Sequence, residues 1–167
     1  ADPIQLKEAV SVAMTVIIAV PISEIENILQ QIKNDLPNDS MVFDVCSVKT
    51  YPCRLLADIL PATTHCFGCH PLFGPDSVKA QHNPIVLSPV GDKNKAYQYW
   101  RNYFTCKSYD VVEMSADEHD QLMAKTQNIT HFVGRSLAAV IDQQDLISTL
   151  GYQRLVQVKQ QTENDSW

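Results

Sequence analysis

Along this chain, runs of branched apolar residues alternate with segments whose apolar residues recur every three or four positions, the signature of strands alternating with amphipathic helices. The first run, Met14-Thr15-Val16-Ile17-Ile18-Ala19-Val20, is β-branched and continuous, which predicts a buried strand covered on both faces in a parallel sheet, and Pro21 stops it. Ser23 opens a predicted helix, with Glu26 three residues on as a capping box and Ile25, Ile28, Leu29, Ile32 and Leu36 on one face. Past the turn at Pro37-Asn38-Asp39, Met41-Val42-Phe43-Asp44-Val45-Cys46 predicts a second buried strand, ending at Ser47-Val48-Lys49. A helix through Leu55, Leu56, Ile59 and Leu60 follows, with Pro52 in its first turn, where a missing N–H costs little. His65-Cys66-Phe67-Gly68-Cys69-His70 predicts a third strand, broken by the Pro/Gly loop that begins at Pro71. Residues 84–88 read as a fourth strand, 94–106 as an aromatic-rich helix and 108–114 as a fifth strand.

Strands separated by helices of this length imply right-handed crossovers and a mostly parallel sheet. The pattern changes at Ser115. Ser115 and Glu118 form another capping box, and one long helix is expected from Asp117 to about Ile141, carrying Leu122, Ile129, Phe132, Val133, Leu137 and Val140. Thr149-Leu150-Gly151 breaks it, and a further helix starts at Tyr152. The expectation is therefore α/β, with residues 1–115 in a sheet domain and 116–167 beginning an all-helical one. Pro21, Ser47 and His70 fall at the ends of three successive parallel strands, so they should line the carboxyl edge, where open α/β sheets bind ligands.

The third strand also carries a literal C-x-x-C-H, the pattern of covalent haem attachment. Such proteins are exported, and Ala1-Asp2-Pro3-Ile4-Gln5 shows no signal pattern. Zinc would need His65, Cys66, Cys69 and His70 to converge, whereas strand side chains alternate between faces. A redox pair is a weaker alternative, and the plainest reading is two small apolar cysteines in a core strand.

The chain has 167 residues, is 45% hydrophobic, and carries a net charge of -6 with a pI near 5.2. That size permits a real core, and the scattered basic residues argue against nucleic acid or an anionic membrane as the main partner. No apolar run reaches the length of a membrane span. Five cysteines in no regular framework favour free thiols and a reducing, cytoplasmic or organellar compartment. The five glycines never form G-x-G, so neither a dinucleotide fingerprint nor a P-loop can be written.

Several motifs together resemble the prephenate and arogenate dehydrogenases of tyrosine biosynthesis. They are Ala19-Val20-Pro21, Asp44-Val45-Cys46-Ser47-Val48-Lys49, His70-Pro71-Leu72-Phe73-Gly74-Pro75-Asp76-Ser77, Val112-Glu113-Met114-Ser115 and Glu118-His119-Asp120. Gln127-Asn128-Ile129-Thr130-His131-Phe132-Val133-Gly134-Arg135, Leu150-Gly151-Tyr152 and Asn164-Asp165-Ser166-Trp167 continue the match, the last segments being most similar to the plant-type arogenate branch. The resemblance implies a Rossmann-like sheet followed by a helical substrate and dimerisation domain. Against that family the chain is expected to lack the glycine-rich first part of the cofactor domain and to stop early in the helical one, so that alone it is expected to be inactive.

The implied chemistry is oxidative decarboxylation of arogenate or prephenate with NADP or NAD, in the cytoplasm or a plastid, by a homodimer. By resemblance His70 takes up the substrate hydroxyl proton and Ser47 hydrogen-bonds beside it. Gln127, His131 and Thr149 approach the substrate side chain, and Ala19, Val20 and Pro21 run beside the nicotinamide ribose. Asp165 matches a position that is acidic in arogenate enzymes. Read without the resemblance, Ser47 is a strand-end cap, Gln127 and His131 a polar pair on one helix face, Thr149 a loop residue and Asp165 a solvated acid. His119 and His82 read as structural or solvated. The reading from a different class is a non-catalytic α/β interaction module whose first strand has an open apolar edge.

Overall fold

The computed structural model of the chain describes residues 3–73, 83–141 and 148–163. They form two compact units, Ala1–Asp120 and Gln121–Trp167. In the first, helix α1 (Pro3–Ser11) precedes strand β1 (Thr15–Ile18), and α2 (Ile25–Ile32) leads to β2 (Met41–Asp44). Then come α3 (Thr50–Ile59), β3 (His65–Pro71), β4 (Pro84–Val90), α4 (Lys95–Cys106) and β5 (Asp110–Glu113). Helix α5 (Ala116–Lys125) runs across the boundary, and α6 (Gln127–Ala138) and α7 (Leu150–Glu163) belong to the second unit.

The five strands pair in the order β1-β2-β3-β4-β5. The first three are parallel and in register, so that Ile18, Asp44 and Gly68 lie side by side. Strand β4 reverses against β3, from Cys66 opposite Val90 to Pro71 opposite Ile85, and β5 runs parallel to β4. The sheet is mostly parallel, as its alternating pattern predicts, with one antiparallel junction between β3 and β4.

Period-two alternation sends the two faces of the sheet into two cores. Val42 and Ile18 pack with Val10, Ile25, Leu29, Ile32, Leu55 and Leu56, beneath α1, α2 and α3. Met41, Phe43, Phe67, Cys69, Ile85 and Leu87 pack with Tyr97, beneath α4. Phe43 stacks on Phe67 and meets Trp100 edge-on, with centroids 4.6 and 5.0 Å apart. In the second unit α6 and α7 approach closely at Gly134, where a Cβ would come 2.1 Å from Thr162 Oγ1. No helix among the described residues is long and apolar enough to cross a membrane.

Three local expectations fail for identifiable reasons. The first strand is not covered on both faces: Ile17, on the α4 side of β1, is exposed, whereas the open edge β1 presents among the described residues matches expectation. The Ser23/Glu26 capping box does not form, because a 3₁₀ turn at Ile22–Glu24, closed by the Glu24 N–H on the Pro21 carbonyl, moves the helix start past Ser23. The long helix from Asp117 is two helices. Between them Thr126 leaves helical geometry, with φ −122° and ψ −79°, and its N–H closes a tighter turn on the Met123 carbonyl at 3.3 Å. Helix α1 also has no counterpart in the sequence pattern read above.

Candidate functional site

The same alternation decides which β3 side chains meet. Cys66 packs toward the α3 side and Cys69 into the α4 core, so the C-x-x-C-H spacing does not bring its thiols together. Burial pushes both thiols up, Cys66 to about 11 and Cys69 to about 12, which keeps them protonated and unreactive. Gly68 shares the Cys66 face, and here only a glycine fits. A Cβ would lie 2.5 Å from Cys53 Sγ and 2.8 Å from Lys49 Cδ. The missing side chain makes room for Lys49, which is wholly buried and ion-paired with Asp44 at the end of β2.

His70 is two residues further along this face and only 3% exposed. Its Nδ1 lies 2.8 Å from Nε2 of His119, and the two rings meet edge-on with centroids 5.0 Å apart. His119, also fully buried, places its Nδ1 2.7 Å from Asp120 Oδ1. Both residues are delivered by the start of α5, where the Ser115/Glu118 capping box forms as predicted: Ser115 Oγ accepts the Glu118 N–H at 3.2 Å, and Glu118 Oε2 accepts the Ser115 N–H at 2.9 Å. Asp120 in turn accepts the backbone N–H groups of Lys49 at 2.7 Å and Thr50 at 2.9 Å, two orphan donors at the start of α3. One carboxylate thus ties the start of α3 to the histidine pair.

The electrostatics of this cluster favour a neutral His70. Burial, then the facing His119 and Lys49, push its pKa down from 6.5 to about 3, against the pull of Asp120. Burial also works to raise Asp120, but the hydrogen bonds from Thr50, His119 and Lys49 outweigh it and hold the carboxyl below its ordinary value. Asp44 is raised by burial against the attraction of Lys49, its Oδ2 accepting the Cys46 N–H at 2.9 Å.

Ser47 is exposed, just past the end of β2, and makes no side-chain hydrogen bond among the described residues. The described partner of the His70 ring is His119. At the end of β1, Ala19 and Pro21 are exposed and Val20 is half-buried. Gln127 and His131 lie one turn apart on α6, both partly buried. Thr149 is exposed and caps α7, its Oγ1 accepting the Tyr152 N–H at 3.2 Å. Asp165 and His82 lie outside the described residues. Sequence reasoning named Lys49, His119 and Asp120 within family motifs, read His119 as structural or solvated, and gave none of the three a role beside His70. The available signal was a His-Asp pair in the first turn of a capped helix.

The sequence profile of the family described as "Prephenate dehydrogenase, nucleotide-binding domain" matches residues 2–112. The chain is 32% identical over 162 residues to "Arogenate dehydrogenase 1, chloroplastic" of Arabidopsis thaliana, covering 91% of this chain and 25% of that protein. It is 35% identical over 128 residues to the T-protein of Enterobacter agglomerans, covering 77% of this chain and 33% of that protein. Among solved structures, prephenate dehydrogenase from A. aeolicus in complex with hydroxyphenyl propionate and NAD+ superposes over 95% of this chain and 60% of that one, with a TM-score of 0.74 at 18% identity. Synechocystis arogenate dehydrogenase gives a TM-score of 0.67 at 19% identity, over 96% of this chain and 62% of that one. The chain spans a quarter to a third of these two sequence relatives, and the match over most of its sheet unit carries the conclusion that it belongs to the prephenate dehydrogenase family, through the nucleotide-binding domain.

Proposed function

We propose that the native protein oxidatively decarboxylates arogenate, or prephenate, with a nicotinamide cofactor. The observation that carries this reading is a buried histidine, held neutral at the carboxyl edge of a parallel sheet, in a chain of this family. The residues at that edge fit the nicotinamide end of a dinucleotide: Ala19 and Pro21 offer an exposed, uncharged strand end, and Ser47 an exposed hydroxyl one strand over. No residue of this chain is assigned to the pyrophosphate. When bound, the cofactor supplies the hydride acceptor, and NADP is preferred to NAD by analogy alone.

The work left to the protein is orientation and one proton. His70 accepts the proton of the substrate hydroxyl as the hydroxyl-bearing carbon is oxidised, the ring carboxylate leaves and the ring becomes aromatic. A neutral imidazole can do this at working pH, whereas an imidazolium could not. Ser47 hydrogen-bonds the same hydroxyl. Gln127, His131 and Thr149 are proposed to bind the substrate side chain, and Asp165 its ammonium in arogenate, where prephenate offers no donor. The homodimer is proposed on the same resemblance.

In the native protein, His70→Asn should lower kcat by about 10²-fold or more with a smaller change in KM, as expected when an interaction that grows in the transition state is lost. Retention of most of the wild-type kcat would remove His70 from this role. Asp165→Asn should cut the preference for arogenate over prephenate, read as the ratio of kcat/KM values, by about tenfold, the worth of one charge-assisted hydrogen bond. An unchanged ratio refutes the assignment of Asp165.

A further inference from the structure

We infer that Asp120 and His119 are positioning residues that set the tautomer of His70, leaving its Nε2 as the nitrogen that takes the substrate proton. The inference deepens the role proposed for His70 and rests on it for its functional meaning, but its structural content stands on the hydrogen-bond chain alone.

Direction along that chain follows from donor and acceptor counting. Both oxygens of Asp120 already accept backbone N–H groups, Oδ1 from Lys49 and Oδ2 from Thr50. Each of those donors belongs to the main chain and cannot reverse. The carboxyl is ionised, so it offers His119 nothing to accept, and the 2.7 Å contact at Oδ1 requires His119 Nδ1 to carry a hydrogen. In a neutral His119 the other nitrogen, Nε2, then has only a lone pair. At 2.8 Å from it, His70 Nδ1 must be the donor. A neutral His70 with its hydrogen on Nδ1 has its lone pair on Nε2. The opposite arrangement needs a doubly protonated His119, a cation in a ring with no exposed surface and close to a second buried histidine. A free histidine side chain favours the Nε2–H form, so this pattern is imposed from outside the ring. The nearest imposing group is Asp120, one residue from His119 in sequence and fixed by the start of α3.

The role is distinct from general packing. A residue that merely filled space beside His70 could be replaced by any isostere, whereas this chain depends on which atoms carry hydrogens.

The test is long-range proton–nitrogen correlation spectroscopy of the native protein with its histidines labelled with nitrogen-15, His70 and His119 being assigned from the variants. Near pH 7.5 both residues are expected as Nδ1–H tautomers. In Asp120→Asn, the carboxamide presents one donor where the carboxylate had none, and His70 should move toward the Nε2–H form. The same variant should lower kcat more than it raises KM. His119→Gln, whose carbonyl can accept from His70 Nδ1, should keep the His70 tautomer, while His119→Leu should not. A wild-type His70 found as Nε2–H overturns the inference without any variant having to fold. So does a His70 tautomer unmoved in both Asp120→Asn and His119→Leu. Failure of the functional reading is read separately, from undiminished kcat in His70→Asn alongside the expected wild-type tautomers.

Discussion

A histidine that is kept neutral by burial must make the fold sensitive to mild acid, and the size of the effect can be worked out. The folded value of His70, about 3, lies below its ordinary value of 6.5. Between the two, the unfolded chain binds a proton that the folded chain refuses, so stability rises with pH across this window and is lost as pH falls through it. At pH 5 the folded state holds almost no proton on this ring, and the loss is set by the unfolded side alone. It is the distance from 6.5 to 5 at about 1.4 kcal/mol per unit, or about 2 kcal/mol relative to neutral pH. Because the result depends on the unfolded value, a folded value a unit higher would leave it nearly unchanged. With the residue only 3% exposed, solvent screening does not reduce the figure.

The matched variant is His70→Asn, whose amide can still donate to His119 but cannot titrate. His119, Lys49 and Asp120, the groups facing the ring, remain in both proteins. Urea unfolding at pH 7 and pH 5, followed by the fluorescence of Trp100 in the α4 core, should show the wild type losing about 2 kcal/mol more than the variant between the two conditions. Equal losses would refute the reasoning, since the ring would then be free to protonate in the fold.

Two further outcomes follow from the packing around the site. Gly68→Ala should destabilise by about 1–3 kcal/mol in the same assay, because its methyl would press on the buried Cys53 and Lys49 side chains. Adding Cys53→Ala should recover part of that loss, and full additivity of the two changes would show the clash to be irrelevant. Ser115→Ala removes the Oγ that caps α5 and should cost about 1 kcal/mol, with Ser115→Asn restoring most of it; no loss on Ser115→Ala would mean the capping box contributes nothing.

The fold was legible wherever periodicity is dictated by burial. The runs at Met41 and His65 became β2 and β3 because both faces of an interior strand are covered, and the aromatic-rich helix expected over 94–106 became α4, with Asn94 accepting the Ala96 and Tyr97 N–H groups at its start. Legibility failed where a local bond overrode the pattern. The Pro21 carbonyl captures Glu24 and displaces the Ser23 cap, and Thr126, its N–H drawn to the Met123 carbonyl, leaves helical geometry in a segment whose apolar residues run on at helical spacing. It failed also at one face of β1, where Ile17 is exposed although the continuous apolar pattern is that of a strand covered on both faces.

At the site, the strand-end position of His70 could be read from sequence, because the Pro/Gly break marks it. What surrounds His70 could not be read in this way. The groups that govern it come from positions 49, 119 and 120, and no spacing links Lys49 to the other two. Lys49 shows why such residues escape notice. As a basic residue after a strand end it invites a solvated or ligand-contacting reading, yet its side chain has no exposed surface and is directed onto Asp44 under the Gly68 backbone. It therefore acts on His70 at a distance, by adding positive potential that opposes protonation of the ring. Asp44 offsets the cost of burying that charge, and Asp120, on the other side, does not neutralise His70, because two backbone donors and His119 already engage its oxygens. A neutral base in this fold is thus first the product of burial, reinforced by the facing His119 and by the buried charge of Lys49.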